Sequence, residues 1–165
     1  MTDKTFLEDN TNAIHQIKTI PALESFSEED LARLLSASRI ETYKDGDLII
    51  SEESAPDNRV YYLVSGKVKV IKNGRELMIL RRTGDVFGEI GVVSGVARSA
   101  SIFAVGKATC LEVTMSHIDY LDETSRLTFK YMIYRSFAEI MANRLKKTTD
   151  ELMAAHQEIE RLKKK

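Results

Sequence analysis

Between Ile40 and Thr114 the apolar residues recur at every second position, in short runs closed by turn residues, and this period-two stretch limits the fold more than any other feature. Ile40-Glu-Thr-Tyr43 is followed by the turn Lys44-Asp-Gly-Asp47 and then by Leu48-Ile-Ile50. Val60 to Val64, Val68 to Ile71, Glu76 to Arg82, Ser101 to Val105 and Cys110 to Thr114 continue the pattern, with Gly66, Asn73-Gly74, Thr83-Gly84-Asp85 and Gly106-Lys107 between them. Asn-Gly is the residue pair that a tight hairpin demands, because both positions take positive φ. Seven or eight short strands with such turns predict an antiparallel jelly-roll or β-roll barrel, not a parallel sheet.

Helices are expected on both sides. Pro21 stops a weakly amphipathic segment that holds Phe6, Leu7, Ile14 and Ile17, and Ser27-Glu-Glu-Asp30 starts a helix with a capping serine and three acids in its positive first turn. Leu31, Leu34 and Leu35 form its apolar face. After Ser116 and His117, and a second start near Thr124-Ser125, a heptad runs from Tyr131 through Ala138, Leu145, Leu152 and Ile159, with Tyr134, Met141, Thr148, Ala155 and Leu162 at the alternate seam position. The chain therefore divides into an N-terminal helical segment (1–36), a β-roll (37–116) and a hinge with a long helix (117–165) whose last part pairs with a second copy as a coiled coil.

Inside the β pattern, Phe87 to Ile102 is exceptional: Gly88, Gly91 and Gly95 interrupt an apolar run. Gly88 permits a close backbone approach, and a turn of helix after it would aim free N–H groups and a positive dipole end at one spot, which suits a small anion. Glu89 at that mouth would repel an anion and fits instead as an acceptor for a neutral hydroxyl. Arg98 supplies a planar cation for a phosphate, Ser99 and Ser101 add hydroxyls, and Ala100 leaves room. A hydroxyl acceptor, a phosphate cation and backbone donors together describe a site for a sugar phosphate. With nothing bound, Arg98 and those donors are expected to face water.

Phe87-Gly-Glu-Ile90 with Arg98-Ser-Ala-Ser101 resembles the phosphate-binding cassette of cyclic-nucleotide-binding domains, the family of bacterial cyclic-AMP receptor proteins and kinase regulatory subunits. The resemblance implies that Glu89 accepts from the ribose 2′-hydroxyl, that Arg98 pairs with the cyclic phosphate, and that Gly88 and Ser99 touch phosphate and sugar; Phe87, Ile90 and Ala100 complete the cassette. Tyr62 to Val68 resembles the family's strand-glycine-strand element. Met141 to Thr149 resembles the receptor dimerisation helix, which would set Thr148 against the base in its own subunit and Thr149 against the base across the dimer. One departure is visible: Ser51 to Pro56 lacks the glycine that the family places near Ser54. Cyclic AMP is the first ligand implied, and cyclic GMP or a cyclic dinucleotide stays open. The implied mechanism is ligand-driven repositioning of the C-terminal helix, not catalysis. The family's DNA-reading members carry a helix-turn-helix after this helix, and none follows before Lys165. The output is then expected to pass through an unknown protein effector or a larger protein, without direct DNA binding.

Composition is that of an ordinary soluble globular chain. The 165 residues are 43% hydrophobic, enough for a packed core, and the net charge of −1 predicts no bulk attraction to nucleic acid or to an anionic membrane. From Arg126 to Lys165, ten Lys or Arg stand against five Asp or Glu. Cys110 is the single cysteine and reads as a small buried strand residue; with no secretory signal pattern, the expectation is a cytoplasmic protein without disulfides. His15, His117 and His156 fall on separate expected helices, so the His-His-carboxylate set of a barrel metalloenzyme is missing, and no nucleophile has a positioned base. The alternative that remains is a dimerisation or scaffold module of the same fold that binds no nucleotide.

Overall fold

The computed structural model describes residues 3–163, with side chains described from residue 11 onward. The side chains of Phe6 and Leu7 lie outside the described residues. Helix α1 (Asp3–Lys18) leads through a 3-10 turn (Pro21–Leu23) to α2 (Glu28–Ser36). Ser27 caps α2 as its sequence demands: its Oγ accepts from the Asp30 N–H at 3.1 Å and donates to the Asp30 carboxylate at 2.6 Å. Ile17, Ile20, Leu23, Leu31 and Leu34 are buried.

Six strands follow: β1 (Ser38–Tyr43), β2 (Leu48–Ile50), β3 (Arg59–Lys72), β4 (Arg75–Leu80), β5 (Val86–Phe87) and β6 (Ser101–Thr114), with the one-and-a-half-turn helix α3 (Glu89–Ser94) between the last two. The count is lower than the sequence predicts because β3 and β6 are each 14 residues long. Gly66 and Gly106, which look like turn residues between alternating runs, are instead bulges inside continuous strands, with φ of 88° and 67°. The β3–β6 register shifts on both sides of Ser65, and a Cβ on Gly66 would lie 2.2 Å from the Lys107 carbonyl oxygen. Only glycine lets the two backbones cross that closely.

All pairings are antiparallel, in the order β1-β6-β3-β4, with β2 on β6 and β5 on β3. This is the β-roll expected, but the sheet is not closed into a barrel. β1 pairs with residues 108–113 of β6, whereas β4 pairs with residues 68–72 of β3, so the two edge strands occupy opposite ends of the long β3–β6 ribbon and never meet. The β3–β4 hairpin turns at Asn73 and Gly74 with φ of 50° and 72°, as Asn-Gly predicts. Tyr61, Leu63, Val68, Leu80, Phe87, Ile102, Ala104 and Cys110 form the core on the inner face. Burial pushes the Cys110 thiol up to about 12, which makes it the inert core residue expected.

After β6 come α4 (Met115–Ile118) and the 41-residue α5 (Glu123–Lys163). Thr114, not Ser116, precedes α4, and it makes no side-chain cap bond. Asp122, not Thr124 or Ser125, caps α5 by accepting from the Ser125 N–H at 3.0 Å. The structure consists of two units, Met1–Lys130 and Tyr131–Lys165. In the second, Tyr134 meets Phe137 edge to face at 5.9 Å, and every described residue from Leu145 onward is exposed.

Candidate functional site

The cassette is built by β5, α3 and the segment that runs from α3 into β6. Phe87 ends β5 with its ring stacked on Tyr61 at 5.1 Å, so it is a core anchor that fixes where the next residue begins. Gly88 then takes φ 82°, a conformation costly for any residue with a Cβ. It caps α3 with no side-chain bond, which leaves the first N–H groups of the helix without intrahelical partners. A Cβ at Gly88 would meet Arg98 Nη1 at 2.7 Å, Ile50 Cδ1 at 3.1 Å and the Arg59 carbonyl oxygen at 3.3 Å. Gly88 is thus the notch into which the Arg98 guanidinium fits.

Arg98 is only 4% exposed, so the expectation that it faces water is corrected. Nη1 donates to the Gly88 carbonyl at 2.7 Å, and Nη2 donates to the Arg59 carbonyl at 2.8 Å and to the Asp57 carboxylate. A buried guanidinium requires this, because an unpaired charge away from water costs several kcal/mol. Its backbone is held as well: the Arg98 N–H donates to the Ser54 carbonyl at 2.9 Å, and the Arg98 carbonyl accepts from the Glu53 N–H at 2.8 Å. The loop that lacks the expected glycine therefore forms one wall of the site, with Glu53 itself at φ 62°.

Glu89 is 2% exposed at the first turn of α3, and Ile90 beside it is 44% exposed. Ser99 and Ala100 are half-buried on the approach to β6. The structure thus brings Gly88, Glu89, Arg98, Ser99 and Ala100 into one locality, with Phe87 behind them. Thr148 and Thr149 are exposed on α5, in the second unit.

Asp57 and Arg59 are the residues that sequence reasoning missed. Arg59 Nη2 lies 2.6 Å from Asp57 Oδ2, and its Nη1 lies 3.6 Å from Glu112, itself 6% exposed. Alternating charges run from Arg98 through Asp57 and Arg59 to Glu112. Burial pushes the Asp57 carboxyl up, but Arg98 and the Arg59 hydrogen bonds outweigh it and hold the group below its ordinary 3.8. Tyr43, half-buried and near Glu112, is pushed up to about 12, first by burial. The signal in the sequence was Asp57-Asn-Arg59, which runs into the first residue of β3 and looks like an ordinary charged turn.

The site can present a buried cation, backbone donors and an acidic acceptor to one small ligand. The chain matches the family model described as cyclic nucleotide-binding domain over residues 40–125. It is 34% identical over 92 residues to a cAMP-dependent protein kinase regulatory subunit of Eremothecium gossypii, covering 55% of this chain and 20% of that one. It is 33% identical over 103 residues to a cGMP-dependent protein kinase of Toxoplasma gondii, covering 62% and 10%. The chain thus spans a fifth or less of these relatives' length. Among solved structures it resembles a cyclic nucleotide-binding domain from Methylobacillus flagellatus, with a TM-score of 0.69 and 17% identity, covering 88% of this chain and 83% of that one. It also resembles the Thermus thermophilus catabolite activator protein, with a TM-score of 0.62 and 24% identity, covering 80% and 61%. These two likenesses support the fold, and the family model, which matches more than half of the sequence, places the chain in the cyclic nucleotide-binding domain family.

Proposed function

We propose that this chain is a cyclic-nucleotide sensor, with cyclic AMP as its ligand, that acts by repositioning its C-terminal helix rather than by catalysis. One observation carries the reading: Gly88, with no room for a Cβ, seats a buried Arg98 guanidinium directly beside the N-terminus of α3 and Glu89. In the bound state the cyclic phosphate takes Arg98 and the α3 N–H groups, Glu89 accepts from the ribose 2′-hydroxyl, and Ser99 with Ala100 lines the sugar edge. The phosphate competes with Asp57 for Arg98, so binding exchanges one ion pair for another. Thr148 and Thr149 supply hydroxyls to the base. A ligand moves an equilibrium only by its difference in affinity for two states, so the contact with the helix is what converts binding into signal.

The sensing core is 37–116, flanked by the helical segments 1–36 and 117–165. Two copies associate through the C-terminal helix, where Leu145, Leu152, Ile159 and Leu162 are 69%, 54%, 47% and 59% exposed at heptad spacing. The sensor works in the cytoplasm and passes its state to a protein effector. Relatives named for cyclic AMP and for cyclic GMP both match, so the base is tested directly.

Isothermal titration with cyclic AMP, cyclic GMP and linear 5′-AMP decides the matter. Micromolar or tighter binding of cyclic AMP is expected, weakened on the order of 100-fold in Arg98→Ala, which removes charge-assisted bonds of about 1.5–3 kcal/mol each. A folded dimer that binds none of the three sinks the sensor and leaves the scaffold reading.

A further inference from the structure

The sheet's outer face is polar at one end and apolar at the other. At the β1 end, the outward Thr42, Ser65 and Thr109 border a cavity of about 490 Å³ with Gln16 and Thr19 of the N-terminal segment. At the other end, register places Ile79, Lys69, Phe103 and Leu48 opposite one another across β4, β3, β6 and β2, so all four share the outward face. Their inward neighbours Val68, Val70, Leu80 and Ile102 line the core. Leu48, Leu77 and Ile79 are 52%, 56% and 45% exposed. A sheet face this apolar ordinarily carries a second layer.

Charge says what kind of layer. Residues 67–82 hold Lys67, Lys69, Lys72, Arg75, Arg81 and Arg82 against the single acid Glu76, in a chain of net charge −1. Among the described residues none of these six cations is in an ion pair. The nearby acids bond to backbone instead: Glu52 accepts from the Asn73 N–H at 3.0 Å, and Asp85 accepts from the Arg81 and Arg82 N–H groups, each at 2.9 Å. Lys69 lies over the Phe103 ring at 5.9 Å, which sets a cation in the middle of the apolar row.

We infer that this face, formed by β4, β3, β6 and β2, docks an acidic amphipathic helix of a partner protein. Four strands span about 14 Å, enough to seat one helix of about 10 Å diameter. A second copy of the same face would oppose lysine to lysine. A bilayer calls for apolar groups that insert 5–10 Å, whereas Ile71, Phe103 and Val105 are half-buried. The inference goes beyond nucleotide sensing and does not depend on it.

The test uses a Leu/Glu peptide of about 20 residues with apolar positions at helical spacing, its Leu/Lys counterpart, and vesicles of phosphatidylcholine with phosphatidylserine. Amide shifts on the ¹⁵N-labelled full chain are expected at residues 67–82 and 101–105 with the Glu peptide alone. Ten-fold or greater weakening is expected in Lys67→Glu/Lys69→Glu, and in Ile79→Ser as an apolar control, with both variants retaining the wild-type melting profile. Equal binding of the Lys peptide, shifts confined to other elements, charge-reversed protein that binds as well as wild type, or capture by vesicles without binding of the Glu peptide would each overturn it.

Discussion

The cassette and the last five turns of α5 are both glycine- or heptad-patterned stretches that the sequence singles out, yet they are built in opposite ways. In the cassette each side chain is held by several others: Arg98 is 4% exposed and bonded to Gly88, Arg59 and Asp57, and the notch at Gly88 has no spare volume. From Leu145 to Lys163 the helix buries nothing, and its ion pairs, Lys147–Glu151, Arg161–Glu158 and Lys163–Glu160, are local i,i+3 or i,i+4 contacts. Such pairs contribute only a few tenths of a kcal/mol each. The cassette is held together within one chain, whereas the helix leaves its heptad residues Leu145, Leu152, Ile159 and Leu162 exposed. Single substitutions should therefore act on stability and binding in the first region and, Thr148 and Thr149 apart, on association alone in the second.

The largest effect is expected at Gly88. Gly88→Ala combines positive φ with a contact at 2.7 Å to Arg98 Nη1, and together these cost about 2–4 kcal/mol. Urea denaturation should show that loss, and titration with cyclic AMP should show affinity down on the order of 100-fold because the guanidinium is displaced. Gly95→Ala is the control within the same cassette. Its φ is 67° but nothing lies within 4 Å, so it should lose only about 1 kcal/mol. Equal losses at the two positions would remove the notch from the account of the site.

Next in size is Leu152→Asp, in the middle of the exposed heptad. A buried leucine contributes about 1.5–3 kcal/mol, and two copies lose one each, so dimer dissociation measured by sedimentation should rise by at least 100-fold. The urea midpoint of the β-roll should stay where it is. A fall in that midpoint would mean that the helix is part of the β-roll's stability and that the two regions are not independent.

These two regions were also legible to different degrees. Gly88 could be named from sequence because only glycine takes positive φ without a Cβ, and Glu89 and Arg98 because a carboxylate and a planar cation spaced around that glycine stand out in an apolar run. Asp57 and Arg59 escaped because a charged turn of this composition precedes many strands, and only the pairing of β3 with β5 brings it to Arg98. Strand count failed for a related reason. A glycine between two alternating runs is written identically whether it turns the chain or bulges it, and the choice at Gly66 is made by the Lys107 backbone across the ribbon. Period two likewise reveals that β3 and β4 have two faces without saying which one is covered.

Asp57 sharpens the contrast from inside the cassette. Its carboxyl sits below its ordinary value because Arg98 and Arg59 outweigh burial, so its contribution to stability is fully present above pH 3.8 and is lost as pH falls through the lower folded value. Asp57→Asn should therefore cost about 1 kcal/mol at neutral pH, an estimate reduced for the side chain's 34% exposure, and the gap from wild type should close under acid. In the proposed binding mode the same carboxylate competes with phosphate for Arg98, so the variant should bind cyclic AMP a few-fold more tightly in titration, about 0.5–1 kcal/mol. Weaker binding would recast Asp57 as a positioning residue that Arg98 cannot do without.

The smallest effect concerns the wall of the site where the family's glycine is missing. Glu53 occupies φ 62° while its N–H donates to the Arg98 carbonyl at 2.8 Å, so the left-handed turn is imposed by the cassette and not by the residue. Holding a side chain there costs about 1 kcal/mol, and glycine would relieve it at the expense of greater chain entropy when unfolded. Glu53→Gly should thus gain about 0.5 kcal/mol, a rise of about 1–2 °C in melting temperature for a chain of this size. Nucleotide affinity should not change, since the backbone geometry is already the one that glycine prefers. A melting temperature that drops instead would show that the Glu53 side chain contributes more to the wall than its backbone strain takes away, and that this loop is a departure from the family in substance as well as in sequence.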